Sequence, residues 1–201
     1  MTDCKSETYG NRVSYCLVTS PAGRPLHEYY SVRELLEVLS EAIRGHRSLL
    51  EDGRILHRDI SENNIIITEL PAEEASKGRL IDLDSAKDLD GMPREASHRT
   101  GTMQFMAIEV LEAKGRTYRY DLESYFYIFV WMCIRYVYEG MARQKLNKLL
   151  RPKTNILRGW STGIYTEIAN TKQGHMGKNR FENVIVEFAL KFENLKPSLS
   201  N

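Results

Sequence analysis

The sequence is poor in cysteine, in net charge and in long apolar runs, and each shortage argues against a class of protein. Its three cysteines, Cys4, Cys16 and Cys133, are widely spaced and form no metal-ligand pattern, so we expect reduced thiols. With 28 basic and 27 acidic residues and no basic stripe, we expect no nucleic acid partner. The most apolar stretch, residues 125–134, is too short to span a membrane, and the N-terminus has no apolar signal core. We therefore expect an intracellular protein, cytoplasmic or nuclear, with no membrane partner.

The composition is otherwise that of an ordinary globular domain. The 201 residues are 42% hydrophobic, which is enough to bury one core. We find no internal repeat and no linker long enough to separate two domains. The sequence therefore predicts a single domain over residues 1–201.

The most informative segment is a polar loop, residues 57–64, which leads into a β-branched run. Its Asp59 carboxylate is suited to orient a hydroxyl nucleophile. The carboxamide of Asn64 is suited to hold a metal ion that shields a phosphate tail. The triplet His-Arg-Asp by itself is weak evidence, because such triplets arise by chance in many proteins. The segments on its C-terminal side strengthen the interpretation.

Two short strands come after this loop. The run from Asn64 to Thr68 and the run that begins at Arg79 both read as strands, and their short connection favours antiparallel pairing. That pairing places Asn64 beside Asp82, and amide and carboxylate oxygens are the ligands that magnesium prefers. The plain alternative is a hairpin with two solvated polar ends. The pair occurring together behind Asp59 favours the metal site.

Helical patterns flank this hairpin. Ser31 and Glu34 form a capping box, and Gly53 follows as the expected end of the helix. The apolar positions that we assign to its buried face are Leu35, Leu36, Leu39, Ala42, Ile43, Leu49 and Leu50. A segment from Asp121 to about Val137 is apolar all round, which predicts a buried central helix.

Two further helices are predicted near the C-terminus. They cover about residues 160–172 and 181–195. The glycines between them, Gly174 and Gly177, predict a loop in which His175 is solvated. The stretch 86–106 shows no sustained periodicity and predicts an irregular segment.

In their order and spacing, four segments resemble the C-terminal lobe of a protein kinase. His57–Asp59 with Asn64 resembles the catalytic loop, and Asp82–Asp84 stands where that family has Asp-Phe-Gly. Residues 101–109 resemble the substrate-binding end of the activation segment, and residues 120–124 resemble the start of the buried central helix. The match covers roughly residues 13 to 140. In its details it is most similar to the fungal-type protein kinase family.

The resemblance implies an α+β fold, with a mostly helical C-terminal lobe and a small β-hairpin at the active site. Residues 13–30 would hold the last strand of the N-terminal lobe and the hinge, 31–140 the catalytic core, and 141–201 the C-terminal helices. The chain before His57 shows neither a Gly-x-Gly-x-x-Gly pattern nor a Lys-bearing strand. We therefore expect that the N-terminal lobe is largely missing, and that a partner can cover the exposed face.

The resemblance also implies how the nucleotide is bound. Asp59 would accept or orient the proton of the substrate hydroxyl. Asn64 and Asp82 would hold Mg²⁺, and Ile66 would form part of the floor under the adenine of ATP. On its own, Ile66 is better explained as a core residue.

Further roles are implied for the residues around Asp59. Arg58 would face a phosphate or carboxylate of the activation segment, Thr102 would help to fix the loop, and Asp121 would cap the loop backbone. Their plain alternatives are a surface ion pair, a turn residue and a helix N-cap. Ser61 stands where Ser/Thr kinases carry a lysine, so the transferred phosphate loses one electrostatic partner.

The function that this pattern predicts is ATP-dependent transfer of the γ-phosphate to a protein Ser or Thr hydroxyl. A small-molecule kinase of the choline or aminoglycoside type is an alternative, because Asp84 replaces the family's glycine. A catalytically silent, kinase-derived binding module is another, because of Ser61 and the missing lobe. A truncated gene model of a complete kinase is a third.

Overall fold

A computed structural model describes five parts of the chain, and the fold is given for these alone. They are residues 22–69, 77–91, 100–135, 155–177 and 179–199. Of residues 13–30, which the resemblance assigns to the last strand of the N-terminal lobe and the hinge, residues 13–21 lie outside the described residues. Within the described parts, helices and short strands combine into an α+β fold, as predicted.

The strands form two small antiparallel sheets. They are β1 (Gly23–Pro25), β2 (Ile55–Leu56), β3 (Ile65–Thr68), β4 (Gly78–Leu80) and β5 (Lys87–Asp88). One sheet has the order β1-β3-β4, and the other pairs β2 with β5. The predicted hairpin is confirmed, since Ile65 pairs with Leu80 and Ile67 with Gly78. The strand β1 pairs with β3, with Gly23 opposite Thr68 and Pro25 opposite Ile66.

Seven helices accompany the sheets in the described residues. They are α1 (Val32–Glu51), α2 (Ile108–Leu111), α3 (Tyr118–Arg135), α4 (Asn155–Ser161), α5 (Tyr165–Met176), α6 (Phe181–Val186) and α7 (Lys196–Leu199). Short 3₁₀ turns cover Leu26–Glu28, Glu62–Asn64, Met103–Phe105 and Leu190–Leu195. None of the helices in the described part of the chain combines the length and apolarity that a bilayer crossing requires.

Helix α1 starts and ends where the sequence predicts. Ser31 Oγ accepts a hydrogen bond from Glu34 N at 3.1 Å, while the Glu34 carboxylate accepts from the amide of Tyr30. The helix ends at Glu51, and Asp52 as its C-cap and then Gly53 follow, as predicted, while the residue in the left-handed region is Arg54, at φ 53°.

The buried stripe of α1 is narrower than its apolar pattern. Leu36 and Ile43 remain 38% and 37% exposed, so their assignment to the core was wrong. The residues that are buried are Leu35, Val38, Leu39, Ala42 and His46. A helix that contacts its neighbours along one side buries only one stripe, whatever the apolarity of its edges.

Helix α3 is the centre of the core. Aromatic and aliphatic side chains on both of its faces are buried, which confirms the prediction of a buried central helix. The side chains around it include Phe105, Trp160 and Phe192, each at most 1% exposed. A second, smaller cluster joins α2 to α5 through Met106, Ala107, Val110, Leu111, Ile168 and Ala169.

The two helices predicted near the C-terminus are both interrupted. Gly163, at φ 115°, separates α4 from α5, because this left-handed conformation cannot continue a helix. The second breaks after α6, where the amide of Ala189 donates to the carbonyl of Cys133 at 2.9 Å. His175 is not in a solvated loop. It lies in α5 and accepts a hydrogen bond from Trp160 Nε1 at 3.0 Å.

Candidate active site

The hairpin brings the two ends of the predicted metal site together. Beyond the last ladder pair, the amide of Ile81 donates to the carbonyl of Asn64 at 3.0 Å. The chain that enters β3 therefore runs beside the chain that leaves β4. Asn64 is 7% exposed and its amide nitrogen donates to the carbonyl of Asp59 at 2.9 Å. That bond turns the amide oxygen of Asn64 away from the loop.

Asp82 stands differently at the other end. It is exposed and adopts a left-handed φ of 65°. Its Oδ1 accepts a hydrogen bond from the amide of Asp84, itself an exposed residue, at 3.1 Å. The described residues contain no group of three or more His, Cys, Asp or Glu side chains suited to a metal ion. A metal held by Asn64 and Asp82 would therefore need phosphate or water oxygens to complete its shell.

The Asp59 carboxylate is held from the segment that begins at Gly101. Its Oδ1 accepts hydrogen bonds from Thr102 N at 2.9 Å and from Thr102 Oγ1 at 3.0 Å. Among the described residues Oδ2 has no hydrogen-bond donor, so one carboxylate oxygen is fixed and the other remains available. The structure thus brings together Asp59 and Thr102, which lie far apart in the sequence.

Gly101 makes this approach possible, and sequence reasoning missed it. Its φ is 114°, and a Cβ at this position would lie 3.0 Å from the carbonyl oxygen of Arg58. The conformation is strained for any residue with a Cβ, and the tight space adds to the preference for glycine. The signal in the sequence was the glycine itself, directly before Thr102.

Asp121 supports the loop from below. Its Oδ2 accepts from the amide of Arg58 at 3.2 Å and lies 2.9 Å from His46 Nε2. Asp121 and His46 are 3% and 2% exposed. These contacts hold Arg58 in a left-handed conformation at φ 72°, which is costly for a residue with a Cβ. His46 was missed as a member of this cluster, although its spacing from Leu39 and Ala42 places it on the buried stripe of α1.

His57 connects the loop to the end of β4. Its ring is fully buried, with Nε2 at 3.2 Å from the carbonyl of Ile81 and Nδ1 accepting from the amide of Asp59 at 3.4 Å. An imidazole that donates through Nε2 and accepts through Nδ1 is neutral. Burial lowers the pKa of His57, which keeps it in this form.

A second arginine, Arg116, joins the loop to the following segment. Its guanidinium donates to the carbonyls of Arg58 and Thr100. Burial and the nearby charge of Arg58 lower the pKa of Arg116. Arg58 Nε has no hydrogen-bond partner among the described residues. Much of the segment predicted to face Arg58, residues 92–99, lies outside them.

The remaining predicted site residues are Ser61, in the loop, and Ile66, in the sheet. Ser61 is 1% exposed, and the adjacent Glu62 carboxylate pairs with Arg135 at 2.5 Å. This pair ties the loop to the C-terminal end of α3. Ile66 lies in the middle of β3, half-buried, between Pro25 and Arg79 in the register.

Comparison with known families agrees with this arrangement. A family model described as fungal protein kinase matches residues 1–133. The chain belongs to the fungal protein kinase family. The predicted resemblance is therefore confirmed, and the match includes the catalytic-loop segment, the hairpin and most of α3.

The curated relatives that match the chain are protein kinases. The chain is 36% identical over 92 residues to inhibitor of nuclear factor kappa-B kinase subunit alpha of Danio rerio, a match that covers 46% of this chain and 12% of the relative. It is 27% identical over 82 residues to probable serine/threonine-protein kinase gdt4 of Dictyostelium discoideum, covering 41% and 5%. The chain therefore spans only a small fraction of the length of these relatives.

Proposed function

We propose that this member of the fungal protein kinase family carries the catalytic machinery for ATP-dependent transfer of a phosphoryl group to a Ser or Thr hydroxyl of a protein. The observation that supports this most is the position of Asp59. Its Oδ1 is held by Thr102, its carbonyl by Asn64, and its amide by His57. A carboxylate fixed in this way, with one oxygen left to the site, is suited to orient a hydroxyl.

The proposed step runs in line. Asp59 Oδ2 accepts a hydrogen bond from the substrate hydroxyl and takes its proton. The hydroxyl oxygen forms its bond to the γ-phosphorus, and the bond from that phosphorus to the β,γ-bridging oxygen of ATP breaks. ADP leaves with that oxygen. Arg58, whose Nε is buried without a hydrogen-bond partner among the described residues, is placed to pair with an anion from the following segment.

The residues at the ends of the hairpin fit a magnesium ion by their chemistry. The amide nitrogen of Asn64 is already used, which leaves its oxygen, and Asp82 offers an exposed carboxylate. Mg²⁺ bound there would neutralise charge on the phosphates of ATP. Ile66, on the same sheet, would contact the adenine. These residues set the place of the nucleotide relative to Asp59.

We further propose that the described residues correspond to the C-terminal lobe of a kinase, with residues 31–140 as its catalytic core. The buried helix α3, the hairpin and the loop between α1 and β3 support this assignment. The nucleotide would then be covered from the other side by a further lobe or by a partner protein. A protein substrate would bind along residues 101–109.

A silent binding module is the second candidate, and one observation favours it. Ser61 stands where a lysine is usual in Ser/Thr kinases, and it is buried and uncharged. A site without that charge would bind nucleotide better than it stabilises the transition state. Asp84, which replaces the glycine usual in protein kinases, is exposed. Small molecules with hydroxyl groups are therefore also tested as substrates.

The deciding experiment measures nucleotide binding and phosphoryl transfer separately. Mg²⁺-ATP affinity is measured by calorimetry, and transfer from labelled ATP is measured to degenerate Ser/Thr peptides, to choline and to an aminoglycoside. We expect transfer to peptides, and a loss of at least about a hundredfold in Asp59→Asn. Asp90→Asn, an exposed aspartate paired with Arg54, is the matched control. Binding without transfer to any acceptor would favour the silent module, and no binding would reject both.

A further inference from the structure

A lysine and a carboxylate bind the backbone on both sides of Ala107. Lys172, on α5, donates from Nζ to the carbonyl of Met106 at 2.6 Å. Glu123, on α3, accepts from the amide of Ile108 at 2.9 Å. Ala107 itself is 1% exposed. The segment that leads from Thr102 into α2 is thus held by two helices through two backbone groups.

The burial of Lys172 is unusual. It is 0% exposed, and its Nζ lies 3.8 Å from the centre of the Tyr127 ring and 5.8 Å from that of Trp160. In the described residues no carboxylate lies within ion-pair distance of this amine. Burying an ammonium group without a paired carboxylate is costly. An apolar side chain at this position would serve packing better, so the amine has a use other than stability.

Tyr127 connects the lysine to the glutamate. Its hydroxyl donates to Glu123 Oε1 at 2.7 Å, while its ring face meets the amine nitrogen of Lys172. The three side chains therefore form one unit. The segment's own carboxylate, Glu109, lies at the protein surface and accepts a hydrogen bond from the hydroxyl of Tyr120.

The held segment is connected to Asp59 by backbone hydrogen bonds. The amide of Met106, whose carbonyl Lys172 binds, donates to the carbonyl of Thr102 at 3.2 Å. Thr102 in turn donates twice to Asp59. A displacement of Met106 would therefore reach Asp59 through Thr102.

We propose that Lys172 and Glu123 are positioning residues of the peptide-substrate site, and that they hold the backbone at Met106 and Ile108 in register with Asp59. The substrate role rests on the function proposed above, in which residues 101–109 bind the peptide. The contacts themselves do not depend on it. Neither residue belongs to the catalytic loop or the hairpin.

The amine of Lys172 also links this segment to pH. Burial lowers its pKa to about 7, against about 10.4 for a solvated lysine. The groups facing Nζ are Glu123 and Tyr127 from α3, Trp160 from α4 and the Met106 carbonyl. His175 lies beyond Trp160 on α5 itself. When the segment opens, the amine of Lys172 becomes exposed. At a pH between these two pKa values, the exposed amine then takes up a proton. The closed segment is therefore favoured as pH rises from about 7 to about 10.

Hydrogen exchange on the whole chain tests the proposal. In Lys172→Met the donor to Met106 is lost, and we expect amides of residues 106–111 to exchange about tenfold faster. The protection of the amides of Val38–Ala42 in α1 should not decrease. The urea midpoint at pH 7 should stay the same or rise, because a buried charge has been removed. Lys172→Arg, which keeps a donor, should restore part of the protection. Lys114→Met is the control, since Lys114 is exposed and pairs with Glu112 just beyond α2.

Two results would overturn the proposal. One is unchanged exchange at residues 106–111 in Lys172→Met. The other is an equal loss of protection in this segment and in α1, which would make Lys172 a residue of general stability. The unmodified chain gives a check that needs no variant. After correction for intrinsic rates, opening of residues 106–111 should increase as pH falls from about 9 to about 7, and a flat profile would contradict the burial of the amine.

Phosphoryl-transfer kinetics test whether Lys172 acts on the peptide site. In Lys172→Met we expect the KM for peptide to rise about tenfold while the KM for ATP stays the same. Equal changes in both constants would argue against a role at the peptide site. If no variant transfers phosphate, the proposed function fails, and the exchange data still decide whether Lys172 holds the segment.

Discussion

Asp59 and Asp82 are the two aspartates proposed at the reaction centre, and they are held very differently. The side chain of Asp59 is bonded by Thr102 from a distant segment, and its backbone is bonded by His57 and Asn64 of its own loop. Asp82 is exposed, and its recorded hydrogen bond comes from Asp84 two positions along. The described fold thus pre-organises the residue that we propose to orient the hydroxyl. Asp82 is left to be ordered by what it binds.

The largest expected effect comes from removing the support beneath Asp59. Asp121→Ala leaves the amide of Arg58 and the ring of His46 buried without their acceptor. We expect the free energy of unfolding to fall by about 3–5 kcal/mol. Urea denaturation measures this, with Asp52→Ala as a control because Asp52 is exposed and bonds only locally to Ser48. A loss no larger than that of the control would show that the loop does not depend on α3.

A second substitution acts on the close approach that brings Thr102 to Asp59. Gly101→Ala places a Cβ 3.0 Å from the carbonyl oxygen of Arg58 at φ 114°. We expect a loss of about 1–3 kcal/mol of stability and a weaker Thr102–Asp59 contact. Gly45→Ala is the matched control, since no atom lies within 4 Å of its added Cβ in α1. That variant should gain up to about 1 kcal/mol. An equal change in the free energy of unfolding in the two variants would show that position 101 has no special need for glycine.

We expect acid to destabilise the loop around Asp59 before it affects the surroundings of Asp82. Burial lowers the pKa of His57 below its usual 6.5, so the unfolded chain binds the proton more readily. The contribution of neutral His57 is therefore complete above about pH 6.5 and is lost as pH falls below that value. In His57→Phe the stability should depend less on pH between 5 and 7. Unfolding curves at several pH values measure the difference, and parallel pH profiles would contradict it.

The smallest effect on stability is expected at Asp82. Because the residue is exposed, Asp82→Asn should change the free energy of unfolding by no more than about 0.5 kcal/mol. Magnesium-dependent ATP binding should nevertheless be abolished, because the carboxylate ligand is lost. Calorimetry with and without Mg²⁺ measures this, and Asp88→Asn, on the exposed strand β5, is the control. Unchanged Mg²⁺-ATP binding would refute the metal assignment.

Much of the local structure came from local patterns. The cap at Ser31, the β-branched run of β3 and the apolar surface of α3 each express a preference of neighbouring residues, and each prediction is confirmed. The predictions that were wrong concern which apolar residues of α1 are buried and where the C-terminal helices are interrupted. A glycine in a helical pattern can end a helix, as at Gly163, or lie within one, as Gly174 does in α5. The outcome depends on what the next turn can pack against.

The sequence by itself determined the family, the hairpin and the residue types of the candidate site, because these lie in short segments whose order and spacing are visible in the chain. The tertiary structure decided what surrounds them. His46, Gly101, Arg116 and Lys172 come from four separate segments, and the local sequence around each does not show which distant group it contacts. Their importance arises from burial, where a polar group must find a partner, and partners distant in sequence are known only when the chain is folded.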